Sequence, residues 1–249
     1  MRLKNRVAIV TGAARGIGSA IAKGFATAGA AVVVNYAHSA AEAEEVVRTI
    51  SGSCGKAISV QADIGDLQTH ARLVAAALDE FGRLDILVNN AGIEFREPFL
   101  EARPTSWDLT FDVNLKAAYF LSQAAARAMM TFGGGKILNV SSIHDEAPIR
   151  NLSIYSITKG GMKMLTKSLA LELAEHKINV NSLSPGAILT DINREALADP
   201  EYRARVIEKI PWKRIGEVAD VVGAAVFLCS AESDYVTGAT LYVDGGILL

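Results

Sequence analysis

Residues 6–36 read RVAIVTGAARGIGSAIAKGFATAGAAVVVNY, and their rhythm changes twice. RVAIVT (6–11) and AVVVNY (31–36) are short, β-branched and apolar at nearly every position, whereas residues 16–29 look helical. A strand that is apolar on both faces needs helices packed on each of them, the condition of a parallel sheet. The stretch is thus a strand, a helix and a second strand, with Gly12, Gly16 and Gly18 at the first turn.

The alternation continues to the end of the chain. KAISVQA (56–62), LDILVNN (84–90), GKILNVSS (135–142), INVNSLSP (178–185) and TLYVDGG (240–246) read as strands. Helical stretches fall near 40–50, 66–81, 104–131, 153–175 and 217–230. This order predicts an α/β fold: a doubly wound parallel sheet of about seven strands, helices on both faces, in a single domain over 1–249. Gly29 and Gly82 follow the first and third helices, and Asp66 is placed to cap the third. Residues 187–215 break the rhythm and read as a mostly helical, charged excursion over the carboxyl edge of the sheet, either a substrate lid or an inert insertion.

Composition narrows the classes of function. A chain of 249 residues buries enough surface for a large core without metals or disulfides. The formal charge of −2 and the absence of a basic stripe argue against nucleic acid or an anionic membrane as partner. AEAEEVV (41–47) reads as the wet face of a helix. Cys54 and Cys229 lack metal-ligand spacing, so free thiols in a reducing compartment and no metal site are expected. The amino terminus enters an apolar strand too soon for a signal peptide, and no apolar run approaches the ~20 residues that a bilayer demands. A soluble, cytoplasmic protein is expected, in which the glycosylation patterns at Asn139 and Asn151 are coincidental.

A glycine turn between strand and helix suits a pyrophosphate, because the helix amino terminus offers unpaired N–H groups and glycine lets backbone approach closely. The spacing here is G-x-x-x-G-x-G, and a turn serving packing alone stays open. No acidic residue follows VVVNY to bind a ribose hydroxyl, and Arg15 stands where it can reach a 2′-phosphate. NADP is favoured, with NAD possible. GGGKI (133–137) lacks the spacing of a Walker loop.

IYSITKGG (154–161) places Tyr155 and Lys159 four apart, on one face of a helix. With TGAARGIG (11–18), NNAG (89–92), Asn114 in FDVNLKAAYF, Ser142 after ILNVS, YSITK (155–159) and SPGAILT (184–190), the chain resembles the short-chain dehydrogenase/reductase family along its whole length. The resemblance implies a Rossmann-type fold and a hydride transfer between a nicotinamide cofactor and an alcohol or carbonyl. Tyr155 would be the acid/base, its phenol drawn down from about 10 by Lys159 and by the positive oxidised nicotinamide. Ser142 would hold the substrate oxygen, and Asn114 a water linking Lys159 to solvent; an ordinary helix cap or kink is the other reading of Asn114. The implied cofactor contacts are Gly12, Arg15, Gly16, Ile17, Gly18, Asn35, Asp63, Ile64, Asn90, Ala91, Gly92, Tyr155, Lys159, Pro185, Gly186, Ile188 and Thr190, although Asp63 also suits a plain turn.

Within the family the chain is similar to bacterial glucose 1-dehydrogenase-like sugar dehydrogenases, through NNAGIE (89–94), SSIHDEAP (141–148), KGGMKMLT (159–166), GAILTDIN (186–193) and YVTGATLYVDGG (235–246). Glu94, His144 and Asn193 then take the positions that approach the sugar beside Ser142 and Tyr155; a loop histidine with a local partner is the plainer reading of His144. Such chains tend to carry a basic residue after VVVNY, where Ala37 and His38 stand here. The expected reaction is oxidation of an aldose at C1 to its lactone. Reduction of a 3-oxoacyl thioester or another small ketone is the alternative, and a non-catalytic NADP-binding sensor a remote one. The resemblance also implies a homotetramer.

Overall fold

The computed structural model describes residues 1–249. The apolar runs form seven strands: β1 (Val7–Val10), β2 (Ala31–Tyr36), β3 (Lys56–Gln61), β4 (Ile86–Asn89), β5 (Gly135–Val140), β6 (Ile178–Pro185) and β7 (Thr240–Val243). All pair in parallel in one sheet ordered β3-β2-β1-β4-β5-β6-β7. The chain winds outward from β1 to β3, returns to β4 beside β1 and winds out the other way. The order therefore reverses between β1 and β4, where loops on the carboxyl edge diverge and leave a crevice.

Alternation within each strand sends side chains to two cores. Ala8 and Val10 of β1 join Val32, Val34, Ile86 and Val88 against α1 (Gly16–Thr27), α2 (Ala40–Gly52) and α8 (Val218–Cys229). Val7 and Ile9 face the other way, with Val33, Leu87 and Ile137, onto α3 (Thr69–Phe81) and α5 (Ala117–Met130). Both faces being covered explains why the strands are apolar at consecutive positions. Among the polar side chains that enter the sheet, the Ser182 hydroxyl of β6 has no partner, whereas the amides of β4 and β5 are paired. Asn89 Nδ2 donates to Asn139 Oδ1 at 2.9 Å and to Ser122 Oγ at 3.0 Å, and Asn139 Nδ2 donates to Thr166 Oγ1 at 2.9 Å. Asn139 is completely buried in β5, out of reach of glycosylation.

Several elements depart from the sequence reading. The third helix starts at Thr69, not near Asp66, whose carboxylate accepts the Gln68 N–H at 3.0 Å in the preceding turn. The single helix expected over 104–131 is interrupted: α4 (Pro104–Phe111) passes into a π turn at Asp112–Lys116 before α5 begins. β7 ends at Val243, because Gly245 and Gly246 turn the backbone with φ of 64° and 86°. Residues 187–215 are less helical than expected, with one short turn at Ala196–Ala198 and α7 (Pro200–Glu208). The excursion is anchored by a small apolar cluster of Leu197, Ile210 and Ile215. Cys54 is exposed, Cys229 is buried, and both are free thiols. No helix is long and apolar enough to cross a membrane.

The amino edge of the sheet is closed by Asp85, 1% exposed. Its carboxylate accepts the Val7 N–H at 2.9 Å, Arg6 at 2.8 Å and both prongs of Arg83 at 2.7 and 2.8 Å. Burial works against the charged form, but the hydrogen bonds from Arg83, Arg6 and Val7 outweigh it, so the carboxyl titrates below its ordinary value. Such a group stabilises the fold above its unfolded value of about 3.9 and loses that contribution as pH falls through its lower folded value. Asp85→Ala should cost about 2–3 kcal/mol at pH 7 in urea unfolding. That deficit should shrink below about pH 4; an equal deficit at pH 7 and pH 3 would contradict the pairing.

Candidate active site

The glycine turn lies at the carboxyl end of β1, and NNAG (89–92) lies beside it at the end of β4. Thr11 ties them: its Oγ1 donates to Val88 O at 3.2 Å and accepts the N–H groups of Asn90 and Ala91 at 2.9 and 3.0 Å. Asn90 Nδ2 returns a bond to Thr11 O at 2.8 Å. The approach is so close that a Cβ on Gly12, where φ is +60°, would sit 2.9 Å from Ala91 Cα. One on Gly18 would meet Asn90 Nδ2 at 2.4 Å.

No side chain caps α1 at Arg15, and the N–H groups of Gly16, Ile17 and Gly18 find no acceptor in the chain. Three free donors at the positive end of a helix fit the phosphates of a dinucleotide. The Arg15 side chain is exposed and makes no ion pair. Thr190 lies across the turn, 3.8 Å from where a Cβ on Gly16 would stand. Asp63 is also exposed, its Oδ1 accepting the Gly65 N–H at 2.9 Å, whereas Ile64 is buried in the core. Pro185 ends β6, Gly186 lies against Asp244, and Ile188 is buried. Asn35 does not face the crevice. It is 1% exposed, accepts the Gly12 N–H at 3.3 Å and donates to Ala62 O at 2.9 Å, so it fixes the turn from behind.

The second half of the site rests on α6 (Ser153–Leu173), which packs on β6 and on the turn after β5 and reaches β5 through Lys159 and Thr166. Tyr155 is partly exposed, and Lys159, one turn on, is 3% exposed with Nζ donating to Val140 O at 2.9 Å. That Nζ lies 5.5 Å from the centre of the Tyr155 ring. Asn114 is completely buried in the π turn: Oδ1 accepts the Ile93 N–H at 2.8 Å and Nδ2 donates to Ile93 O at 2.9 Å. A π turn carries an extra residue and re-aims the side chains within it. Gly92 leaves the space between, since a Cβ there would stand 3.4 Å from Asn114 Oδ1 and 3.9 Å from Lys159 Nζ.

Ser142 begins a short turn after β5, and its Oγ accepts the His144 N–H at 3.2 Å. The His144 ring lies edge-on to Tyr155 with centroids 6.3 Å apart. His144 Nδ1 is 2.8 Å from Ala147 O; a carbonyl only accepts, so Nδ1 carries the proton and Nε2 of the neutral ring keeps a lone pair. Glu94 pairs loosely with Arg96 at 3.4 Å. Asn193 is occupied within its own loop, accepting the Thr190 N–H and donating to Ile188 O at 2.9 and 2.8 Å.

The expectation that Lys159 draws the phenol down is not met by the chain's own groups. Burial pushes Tyr155 up to about 12, the Ser142 hydroxyl opposes this, and the charges of Glu94 and Asp145 add to it. The partial exposure of Tyr155 to the crevice tempers the rise. Burial also pushes Lys159 down to about 8, Asp145 acting against it. At neutral pH the phenol therefore keeps its proton and the ammonium stays mostly charged, so forming the phenolate calls for further positive charge of the kind an oxidised nicotinamide would supply. Thr11 and Asp145 were not singled out from the sequence: a threonine before a glycine turn carries no chemical signature, and Asp145 stands in a charged run typical of an exposed loop.

A family model described as enoyl-(acyl carrier protein) reductase matches residues 12–248. L-rhamnose 1-dehydrogenase (NAD(P)(+)) of Sphingomonas sp. (strain SKA58) is 44% identical over 98% of this chain and 97% of its own. Glucose 1-dehydrogenase 2 of Bacillus subtilis (strain 168) is 41% identical over 99% of this chain and 96% of its own. The solved structure of a gluconate 5-dehydrogenase from Burkholderia cenocepacia J2315, in complex with NADP and tartrate, superposes with a TM-score of 0.94 at 37% identity, covering 99% and 96% of the two chains. Matched from end to end by dehydrogenases of this kind and folded as they are, the chain belongs to the short-chain dehydrogenase/reductase family.

Proposed function

We propose that this oxidoreductase oxidises an aldose at C1 to its lactone, with NADP as the preferred hydride acceptor. The observation that carries the substrate class is His144 against Tyr155, its Nε2 lone pair unused within the chain, with Glu94 close enough to act on the same phenol. A pyranose offers several hydroxyls, and acceptors of this kind discriminate among sugars because each would be left unpaired by the wrong one. The similarity to rhamnose and glucose 1-dehydrogenases supports the same reading.

When bound, a nicotinamide dinucleotide supplies hydride acceptance at C4 and, oxidised, a positive charge. Gly16, Ile17 and Gly18 would hold its phosphates through their free N–H groups and Arg15 the 2′-phosphate. Ser142 donates to the substrate oxygen and fixes it beside Tyr155. The Tyr155 phenolate takes the hydroxyl proton, and Lys159 stabilises that phenolate. Asn114, which with Lys159 borders the space left by Gly92, would organise the exit for the proton.

Residues 187–215 are read as the substrate lid. Assembly into a homotetramer is proposed from the family resemblance, with the exposed side chains Met164, Leu171 and Trp212 available to a subunit contact. The alternative, reduction of a 3-oxoacyl thioester or other small ketone, shares only the acyl-thioester class with the family model's description, because an enoyl reductase reduces a carbon–carbon double bond.

Tyr155→Phe should lower turnover at least about a hundredfold, the scale of acid–base catalysis, and leave NADP affinity within a few-fold; unchanged turnover would refute the mechanism. Arg15→Ala should weaken NADP binding by about tenfold or more and NAD binding little, read by cofactor fluorescence. Equal losses would remove the phosphate contact. Purified protein offered aldoses, sugar acids and 3-oxoacyl thioesters should reduce NADP fastest with an aldose; no aldose turnover would eliminate the lactone reading.

A further inference from the structure

Asp145 lies at the end of the turn that begins with Ser142, and its N–H donates to Ser142 O at 2.9 Å. Its carboxylate is held by two strands: Ser184 Oγ on β6 donates to Oδ2 at 2.7 Å, and the Tyr242 hydroxyl on β7 donates to Oδ1 at 2.9 Å. The Tyr242 oxygen in turn accepts from Lys163 Nζ at 3.2 Å, and Lys163 also pairs with Glu146. Tyr155, Lys159 and Lys163 recur every four residues, so the clamp meets the same stripe of α6 that carries the acid–base pair.

We propose that Asp145 is a positioning residue for the oxidoreductase reaction. Clamped by Ser184 and Tyr242, it holds the turn that carries Ser142 and His144, and it sets the charge balance at Tyr155 and Lys159. The inference rests on the assignment of Tyr155 and Lys159 as the acid–base pair, and it holds for any alcohol the enzyme oxidises. Its negative charge raises both the phenol and the ammonium, favouring protonated Lys159 and a phenol that keeps its proton until base is supplied. The other charged or titratable groups facing this region are Glu94 from the loop after β4, His144 and Glu146 from the turn, Lys163 from α6, and Tyr242 and Asp244 from β7 and its end.

The test is the pH dependence of kcat/KM for alcohol oxidation, using whichever alcohol the substrate panel shows to turn over. Asp145→Asn removes the charge at nearly constant shape, and both limbs of the profile should move toward acid by about half a unit to one unit. Asp145→Glu should restore the wild-type profile. Tyr242→Phe, which keeps the charge and loosens the clamp, should lower activity evenly across pH. If Asp145→Asn does not fold, judged by melting temperature and NADP binding, Asp145→Ser makes the same charge change. A neutral variant that folds and keeps its profile within about 0.2 units overturns the proposal. Retained turnover in Tyr155→Phe would instead overturn the acid–base assignment beneath it, so the two failures are distinct.

Discussion

Burying an ammonium group costs several kcal/mol unless its donors are met, and Lys159 is buried with the carbonyl of Val140 as its hydrogen-bond acceptor. Much of the local architecture serves that arrangement. α6 must pack beside the carboxyl end of the sheet for the ammonium to reach that carbonyl, and the same packing leaves Tyr155 partly exposed one turn before it. Gly92 lies between the two side chains, where an added Cβ would come into contact with both Lys159 and Asn114. The π turn has to place Asn114 inward, where it fastens Ile93 in the loop after β4. The carboxylate of Asp145 then offsets part of the cost of the charge. Helix, loop and turn are positioned about one cation.

The fold was legible because its strands are buried on two faces. Every apolar run named from the sequence is a strand, and β2 and β6 keep their expected limits, since a doubly covered strand cannot hide its composition. Glycines marked the ends well, Gly82 adopting the left-handed conformation that closes α3. The π turn was not legible: DVNLK has nothing in its composition to separate it from the α-helix on either side. The same holds for contacts distant in sequence. Asp145 meets partners 39 and 97 residues away, which no local pattern reports. Asn35, expected to touch the cofactor, and Asn193, expected to approach the sugar, instead have their amides engaged by neighbouring backbone.

The two halves of the site answer to different constraints. The glycine turn and NNAG are pressed together so closely that backbone itself forms the surface proposed for the cofactor, and Thr11 is the pin. The half proposed for the substrate consists of side chains on short turns, Ser142 and His144 after β5 and Glu94 after β4. Backbone surfaces tolerate few substitutions, whereas turn side chains can change without moving the sheet. A common hydride chemistry with divided substrates follows from that partition, and relatives similar over the whole chain act on an aldose in one case and a sugar acid in another.

Beneath the crevice, Asn89, Asn139 and Thr166 form a chain of buried amides and hydroxyl running from β4 through β5 to α6. Apolar strands such as ILVN and KILNV would pair acceptably in more than one alignment, because one branched side chain packs about as well as the next. An amide does not accept such substitutes. If β5 slid by one residue against β4, Asn139 would turn to the opposite face, leaving Asn89 and Thr166 without their partner in a dry interior. The amides thus act as a proofreading device for assembly, rejecting sheets that are equally greasy but misaligned.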